Sequence, residues 1–365
     1  MFKKMITKTI PLGVVTSLLL LSGCNNASSP PASDLDSIKE TTTPYAGEVI
    51  PFFDNWKLIL GDGSNVGNAS KYENKNFFYT ASDRTGDWVV FKTPNAGDTH
   101  GTSNNTRTEL AQTKKWRAMT KASLEATVKV MNVSRTGDER VAASHAVVIG
   151  QIHSADAFEN EPLKIFYKKF PGHTKGSVFW HYEINTAGNS NAKRWDYSTA
   201  VWGNDFSTIG PTENTVPDEP KDGIMYGEAF TYKIEIQNGI MNLTFTSDGH
   251  ETKTFTKNLI TSDYTTMADV PNQTKKLFFP IGQDGLERAN AYAEEGLFFK
   301  LGSYNQTNGK SPEVNRNWCS GAETHDGDLQ KQYADGNYAE VWFKDASIFV
   351  SKEAYSNEDY FLKND

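Results

Sequence analysis

Three short segments place chemically capable polar residues inside runs that otherwise read as β-strand. They are Arg107-Thr108-Glu109-Leu110, then Gln151-Ile152-His153 at the end of the apolar run Ala146–Gly150, and finally Phe298-Phe299-Lys300-Leu301-Gly302-Ser303-Tyr304-Asn305-Gln306. Side chains alternate between the two faces of a strand. Arg107 and Glu109 therefore share a face, and so do Gln151 and His153, with Ile152 pointing the other way. Lys300, Gly302, Tyr304 and Gln306 form one row, while Phe299 and Leu301 are free to enter a core. Gly302 is expected to leave an open spot where a ligand approaches closely. On one sheet these rows would combine a guanidinium, an amine, an amide, an imidazole and a phenol. The arginine fork suits a planar carboxylate, and histidine and tyrosine can carry protons.

The elements that must position these groups are strands. Leu124, Ala126, Val128 and Val130 share one face of Leu124–Val130, with Glu125, Thr127 and Lys129 opposite. Val147–His153, Leu163–Lys169, Phe230–Ile236, Met241–Phe245, Gly296–Gln306 and Glu340–Phe349 are also strand-like. Asn238-Gly239 between two of these runs signals a tight hairpin. Short helical pieces are expected only near Leu110–Trp116 and Ser351–Phe361. Many short strands with turn signals imply an all-β sandwich or barrel. Without internal repeats or a second composition regime, one domain over about residues 45–355 is expected, followed by a tail at 356–365. The stretch Asn185–Tyr226 is the least strand-like. Its aromatics Trp195 and Trp202 either stack on sugars as part of a lid or pin a surface excursion by being buried.

Composition narrows the partners. With 37 Lys+Arg against 45 Asp+Glu, the formal charge is −8, which argues against broad nucleic-acid binding. An acidic substrate requires only a locally positive groove. At the N-terminus, Lys3, Lys4 and Lys8 precede the apolar run Ile10–Leu21, which is too short for an ordinary membrane span. The run ends in Leu21-Ser22-Gly23-Cys24, which resembles the bacterial lipobox. That resemblance implies an exported lipoprotein whose signal peptide is residues 1–23 and whose Cys24 carries the lipid, at the cell surface or in the periplasm. Removing residues 1–23 takes away three lysines and no acids, so the charge becomes −11. Residues 24–44, rich in Ser, Thr, Pro and Asn, read as a flexible tether. Cys24 and Cys319 are the chain's only cysteines, so a lipidated Cys24 leaves no intramolecular disulfide. Cys319, beside Trp318, is expected to be packed rather than reactive.

Taken in order, Arg-Thr-Glu-Leu, Gln-Ile-His and Phe-Lys-x-Gly-x-Tyr-Asn-Gln resemble the three signature segments of polysaccharide lyase family 7, the alginate lyases. The resemblance covers about residues 45–355 and implies a β-jelly roll whose concave sheet holds the substrate groove. The implied reaction removes the C5 proton of a uronate in alginate and expels the O4-linked sugar. It leaves a 4,5-unsaturated uronate at the non-reducing end. The substrate carboxylate must be neutralised, a base must take the C5 proton, and an acid must protonate O4. By resemblance, Arg107 and Gln151 hold the carboxylate, and His153 is neutraliser or base. Tyr304 protonates the leaving oxygen, and also serves as base where the C5 proton lies on its side. A free tyrosine titrates near 10, so that second role calls for positive charge nearby, from Arg107, Lys300 or His153. Lys300 and Gln306 are assigned to substrate binding, and Glu109 to orienting Arg107 or a sugar hydroxyl. Ile152 in the central tripeptide is associated in the family with guluronate-containing stretches. No cofactor or metal is called for, and a monomer is expected.

Each residue alone has a plainer reading. Tyr304 could be a sheet-surface aromatic, His153 a hydrogen-bonded structural histidine, and Arg107–Glu109 an exposed ion pair of little energetic weight. Only the joint pattern favours the lyase. A jelly-roll glycoside hydrolase would need two carboxylates roughly 5–9.5 Å apart, and no closely spaced Glu-x-Asp-x-x-Glu motif is present. A non-catalytic polysaccharide-binding lipoprotein would keep the groove without needing His153 and Tyr304 together. His325-Asp326-Gly327-Asp328 reads as a solvated acidic loop, with a structural calcium as the alternative.

Overall fold

The computed structural model describes residues 43–99, 103–155, 161–184, 195–206, 216–260, 292, 295–315 and 318–352. The expected signal peptide, Cys24 and almost all of the expected tether lie outside these residues, as do the expected C-terminal helix beyond Lys352 and the expected tail.

The strands, in chain order, are β1 (Trp56–Ile59), β2 (Asn65–Val66), β3 (Phe78–Asp83), β4 (Gly86–Pro94), β5 (Arg107–Gln112), β6 (Ala122–Asn132), β7 (Ala146–Ser154) and β8 (Leu163–Lys168). They continue with β9 (Lys175–Ile184), β10 (Trp195–Trp202), β11 (Ile224–Met225), β12 (Ala229–Gln237), β13 (Ile240–Thr246), β14 (Lys253–Asn258), β15 (Leu297–Asn305) and β16 (Tyr338–Val350). They form two sheets. One has the order β10-β9-β8-β7-β15-β5-β1-β2, with β11 paired to β9; the other has the order β14-β13-β12-β6-β16-β4-β3. This is the all-β sandwich that alternation implied and the jelly roll that the resemblance implied.

Alternation sets the layers. On β6, Leu124, Ala126, Val128 and Val130 enter the core with at most 1% exposure. On the facing sheet Leu110, Ile149, Ile152, Ile165, Tyr167, Trp180, Phe299 and Leu301 join the same cluster. Burying such a side chain contributes about 1.5–3 kcal/mol, so each strand is held chiefly by its inward row. The alternate residues of β7, β8, β9 and β15 then face outward, on the opposite side of the first sheet.

Asn238 and Gly239 take φ of 52° and 78° and close β12 onto β13 with Gln237 opposite Ile240, as a hairpin turn of this type requires. The expected helix at Leu110–Trp116 is instead the end of β5 and the turn after it. Gln112 and Trp116 do touch, through an indole N–H donated to Gln112 Oε1 at 3.1 Å, so the four-residue spacing imitates a helix. Among the described residues the helices are α1 (Ala46–Val49) and α2 (Leu329–Ala334). The Asp328 carboxylate accepts from Gln330 N and Lys331 N and caps α2. His325–Gly327 forms the 3₁₀ turn before it, and His325 pairs with Asp335 at 2.9 Å.

Asn185–Tyr226 also contains more strand than its composition suggested, in β10 and β11. Residues 185–194 and 207–215 lie outside the described set. Trp202 is buried and donates its indole N–H to Glu251 O at 2.9 Å, so it is a pin and not a stacking platform. The side chain of Trp195 is outside the described set.

Candidate active site

Registry gathers the three polar segments. Antiparallel pairing sets Lys300 opposite Gln151, Gln151 opposite Lys164, and Lys164 opposite His181, a row running straight across β15, β7, β8 and β9. On the other side of β15, Tyr304 is opposite Arg107 and Gly302 opposite Glu109. Irregularities between Val148 and Gly150 and between Leu301 and Tyr304 re-aim the side chains. Val148, three residues before Gln151, consequently packs beside Tyr304 on the outward face, whereas Ile149 stays in the core.

Glu109 is the hub beneath the site. One carboxylate oxygen accepts a hydrogen bond from Gln151 Nε2. The other lies 3.4 Å from Lys300 Nζ and 3.8 Å from an Arg107 nitrogen. The Arg107 guanidinium sits 4.1 Å from the centre of the Tyr304 ring, and the Ser103 hydroxyl lies 3.0 Å from the Tyr304 hydroxyl. Arg107 Nε, Gln151 Oε1 and Glu109 Oε2 are buried without a hydrogen-bond partner among the described residues. Buried polar atoms normally are hydrogen-bonded, and these three gather around the Glu109 carboxylate.

Electrostatics separates the permanent charges from the proton carriers. Burial acts to lower the Arg107 pKa, but Tyr304, Glu109 and Glu161 outweigh it and raise the value above normal. Burial lowers Lys300, against the opposing pull of Glu109. His153 is brought down to about 4, first by burial and then by Lys300, with Arg107 adding to the effect and Glu161 and the Ser154 carbonyl opposing it. At neutral pH the imidazole is therefore uncharged. Its Nδ1 lies 2.5 Å from Ser154 O, and a carbonyl can only accept, so Nδ1 carries the proton and Nε2 keeps its lone pair. The ring stacks on Phe298 at 5.0 Å.

Ile152 is in the core, facing away from this cluster as expected. Gln306 lies just beyond β15, is 2% exposed and donates to Tyr304 O at 3.3 Å. Glu109 is likewise only 1% exposed. The open spot expected at Gly302 is absent. A Cβ there would come within 2.6 Å of Thr108 O and 2.7 Å of Glu109 Cα, at a φ of 149°. Glycine is needed because the neighbouring strand presses against it at an irregularity, not because a ligand does.

Three contributors escaped the sequence reading. Phe298 has the same parity as Lys300 and Tyr304 and could have been found by alternation. Ser103 and Glu161 sit outside any strand, in segments whose composition carries no signal. Glu161 Oε1 is 3.4 Å from His153 Nε2, and its other oxygen is 3.5 Å from Lys164 Nζ, which also pairs with Glu183 at 2.6 Å.

Next to this polar row the same face is apolar. Phe166, Phe170, Phe179 and Phe206 cluster with Val148, and Tyr304 packs against them. Phe206, from the segment after β10, lies 5.1 Å from Phe179 and 5.7 Å from Phe170. Lys168 lies in this region, fully buried, with its amine donating to Ala142 O at 3.0 Å and burial bringing it down to about 7.

Comparison with known proteins agrees with this geometry. The alginate lyase family model matches residues 50–350. An alginate lyase from Klebsiella pneumoniae is 27% identical over 298 residues, covering 71% of this chain and 83% of its own. Among solved structures, an exolytic PL7 alginate lyase from Zobellia galactanivorans is 59% identical with a TM-score of 0.77, over 84% of this chain and 98% of that one. The Klebsiella pneumoniae alginate lyase structure, at 21% identity and a TM-score of 0.56, shares the fold over 85% of this chain and 100% of its own. The chain belongs to the alginate lyases of polysaccharide lyase family 7, and it is a polysaccharide lyase acting on alginate.

Proposed function

We propose that this lyase cuts alginate from chain ends, using Arg107, Gln151, His153 and Tyr304 as its reacting constellation. The observation that carries the site assignment is Arg107, set 4.1 Å from the Tyr304 ring with its Nε making no hydrogen bond among the described residues, and joined to Gln151 through Glu109. A uronate carboxylate entering there meets the Arg107 fork, and a second N–H on the Gln151 amide is free to turn towards it. Charge developing on the carboxylate as the C5 proton leaves is stabilised by groups already in position. Tyr304 gives its proton to O4. Where the C5 proton lies on the Tyr304 side, Tyr304 starts as the phenolate, takes that proton and then delivers it to O4. Where it lies on the opposite side, His153 takes it at Nε2. Lys300 and Gln306 line the substrate path, and Glu109 holds Arg107, Lys300 and Gln151 from below.

Chain-end cleavage is supported by the aromatic cluster of Phe166, Phe170, Phe179 and Phe206, which packs against Tyr304. It is also supported by the exolytic relative at 59% identity. A preference for guluronate-containing stretches rests on the resemblance at Gln151-Ile152-His153, and any effect of Ile152 passes through the backbone. Defined guluronate and mannuronate blocks, sampled by mass spectrometry from the first turnovers, test both points. Products of one short length from the start, and faster release from guluronate blocks, are expected. A broad early distribution of lengths would contradict end-cutting, and equal rates would remove the preference.

The lipobox-like Leu21-Ser22-Gly23-Cys24 supports an exported protein anchored to the membrane through lipid on Cys24, with residues 24–44 as tether and 45–355 as the enzyme. Cys24→Ser should move the enzyme out of the membrane fraction, and unchanged partitioning would defeat the anchor. The non-catalytic sugar-binding alternative is not favoured by the lyase family membership.

A further inference from the structure

Glu161 directs a carboxylate oxygen at the one nitrogen of His153 that carries no proton. The Ser154 carbonyl fixes the proton on Nδ1, and Glu161 Oε1 stands 3.4 Å from the bare Nε2. Two acceptors facing each other repel, and a proton arriving between them turns that repulsion into a hydrogen bond. The elimination delivers such a proton. Among the described residues, the other charged groups that act on the imidazole are Lys300 from β15 and Arg107 from β5, both cationic, while Lys164 from β8 lies 3.5 Å from the Glu161 carboxylate. Lys300 and Arg107 oppose retention of a second proton on the ring. Glu161 is the carboxylate beside it, and its side chain is 14% exposed, against 1% for Glu109.

We propose that Glu161 accepts from His153 Nε2 the proton abstracted at C5 and passes it to solvent, so that it serves as the proton-exit residue of the His153 arm. The inference rests on His153 being the base for one of the two C5 configurations. The balance is complete. The C5–H electron pair becomes the C4–C5 double bond, and O4 departs with the proton from Tyr304. The C5 proton goes to His153, then Glu161, then water, and solvent restores the phenol. Lys164 keeps its closer partner Glu183 at 2.6 Å, so loss of the Glu161 carboxylate does not strand that amine.

The test uses the whole enzyme on the block type for which His153→Ala is inactive. Glu161→Gln should lower kcat by about ten-fold or more, a fraction of what a full general base contributes, with KM nearly unchanged. Glu161→Ala opens space at the same place, and added formate should restore turnover in proportion to its concentration. Unchanged kcat in Glu161→Gln overturns the proposal. So does a deficit that formate and buffer concentration leave untouched, because a merely structural loss would not respond to a small carboxylate. If Glu161→Gln fails to fold, Glu161→Asp replaces it, and the absence of any buffer-dependent deficit there is equally fatal. Full activity of His153→Ala on both block types would instead defeat the reading of His153 as base, which separates the two failures.

Discussion

Two buried lysines on opposite sheets of this sandwich have opposite surroundings. Lys129, on the outward face of β6, is 3% exposed and lies 4.2 Å from the Trp88 ring and 4.3 Å from the Trp342 ring. Its amine pairs with Asp83. That carboxylate also accepts from Thr85 N at 2.8 Å, Thr85 Oγ1 at 2.7 Å and Trp88 Nε1 at 3.1 Å. Burial pushes the Asp83 pKa up, but Lys129 and these donors together hold it well below the usual carboxylate range. Lys300, on the outward face of β15, is 5% exposed and has the shared carboxylate of Glu109 at 3.4 Å. Around it Arg107 Nε, Gln151 Oε1 and Glu109 Oε2 make no hydrogen bond among the described residues. Burial alone therefore does not mark function. A structural charge is supplied with partners until nothing is missing, whereas a reaction centre keeps polar atoms buried and waiting, at a cost to stability that substrate offsets.

A pair of substitutions can break that contrast. Arg107→Ala should lower kcat/KM by about 10²–10³-fold, the usual effect of removing a preorganised donor. Its melting temperature should stay level or rise, because an under-satisfied buried group is removed. Lys129→Ala should do the reverse, costing about 1–3 kcal/mol of stability through lost packing and cation–π contact. Its kcat/KM should stay within about two-fold of normal, as expected for a distant site. Denaturant unfolding and steady-state kinetics on both variants check this. Matching profiles in the two would erase the distinction.

A smaller effect is expected from pH. A base must be unprotonated, and His153 titrates at about 4 instead of near its ordinary value. On the block type that needs His153, kcat/KM should hold from neutral pH down to about 5 and then fall as the imidazole gains its proton. A decline already under way near pH 6.5 would mean that the folded environment does not lower His153 as its burial among Lys300 and Arg107 implies.

Much of this was legible in the chain. Alternation placed Leu124, Ala126, Val128 and Val130 in the core and Ile152 opposite Gln151 and His153, because period-two burial is a local property of each strand. The Asn238-Gly239 turn was readable because two successive positive φ values need those residue types. What failed depended on neighbours distant in sequence. Gly302 is demanded by the β5 backbone pressing against it. β10 lies within a segment whose composition resembles a loop. Glu161 and Ser103 reach the site from connections, where no periodicity announces direction. Gln151 shares a buried hydrogen bond with Glu109 across 42 residues of chain, and nothing local encodes that meeting.

The most direct test of the reaction centre is Tyr304→Phe, followed in parallel by ultraviolet absorbance of the unsaturated uronate and by calorimetric binding of an alginate oligosaccharide. The phenyl ring keeps its place against Arg107 and the aromatic cluster, and only the proton donor is lost. Chromophore formation should fall by about 10²–10⁴-fold while binding stays close to normal. Near-normal formation of the chromophore by this variant would contradict the account.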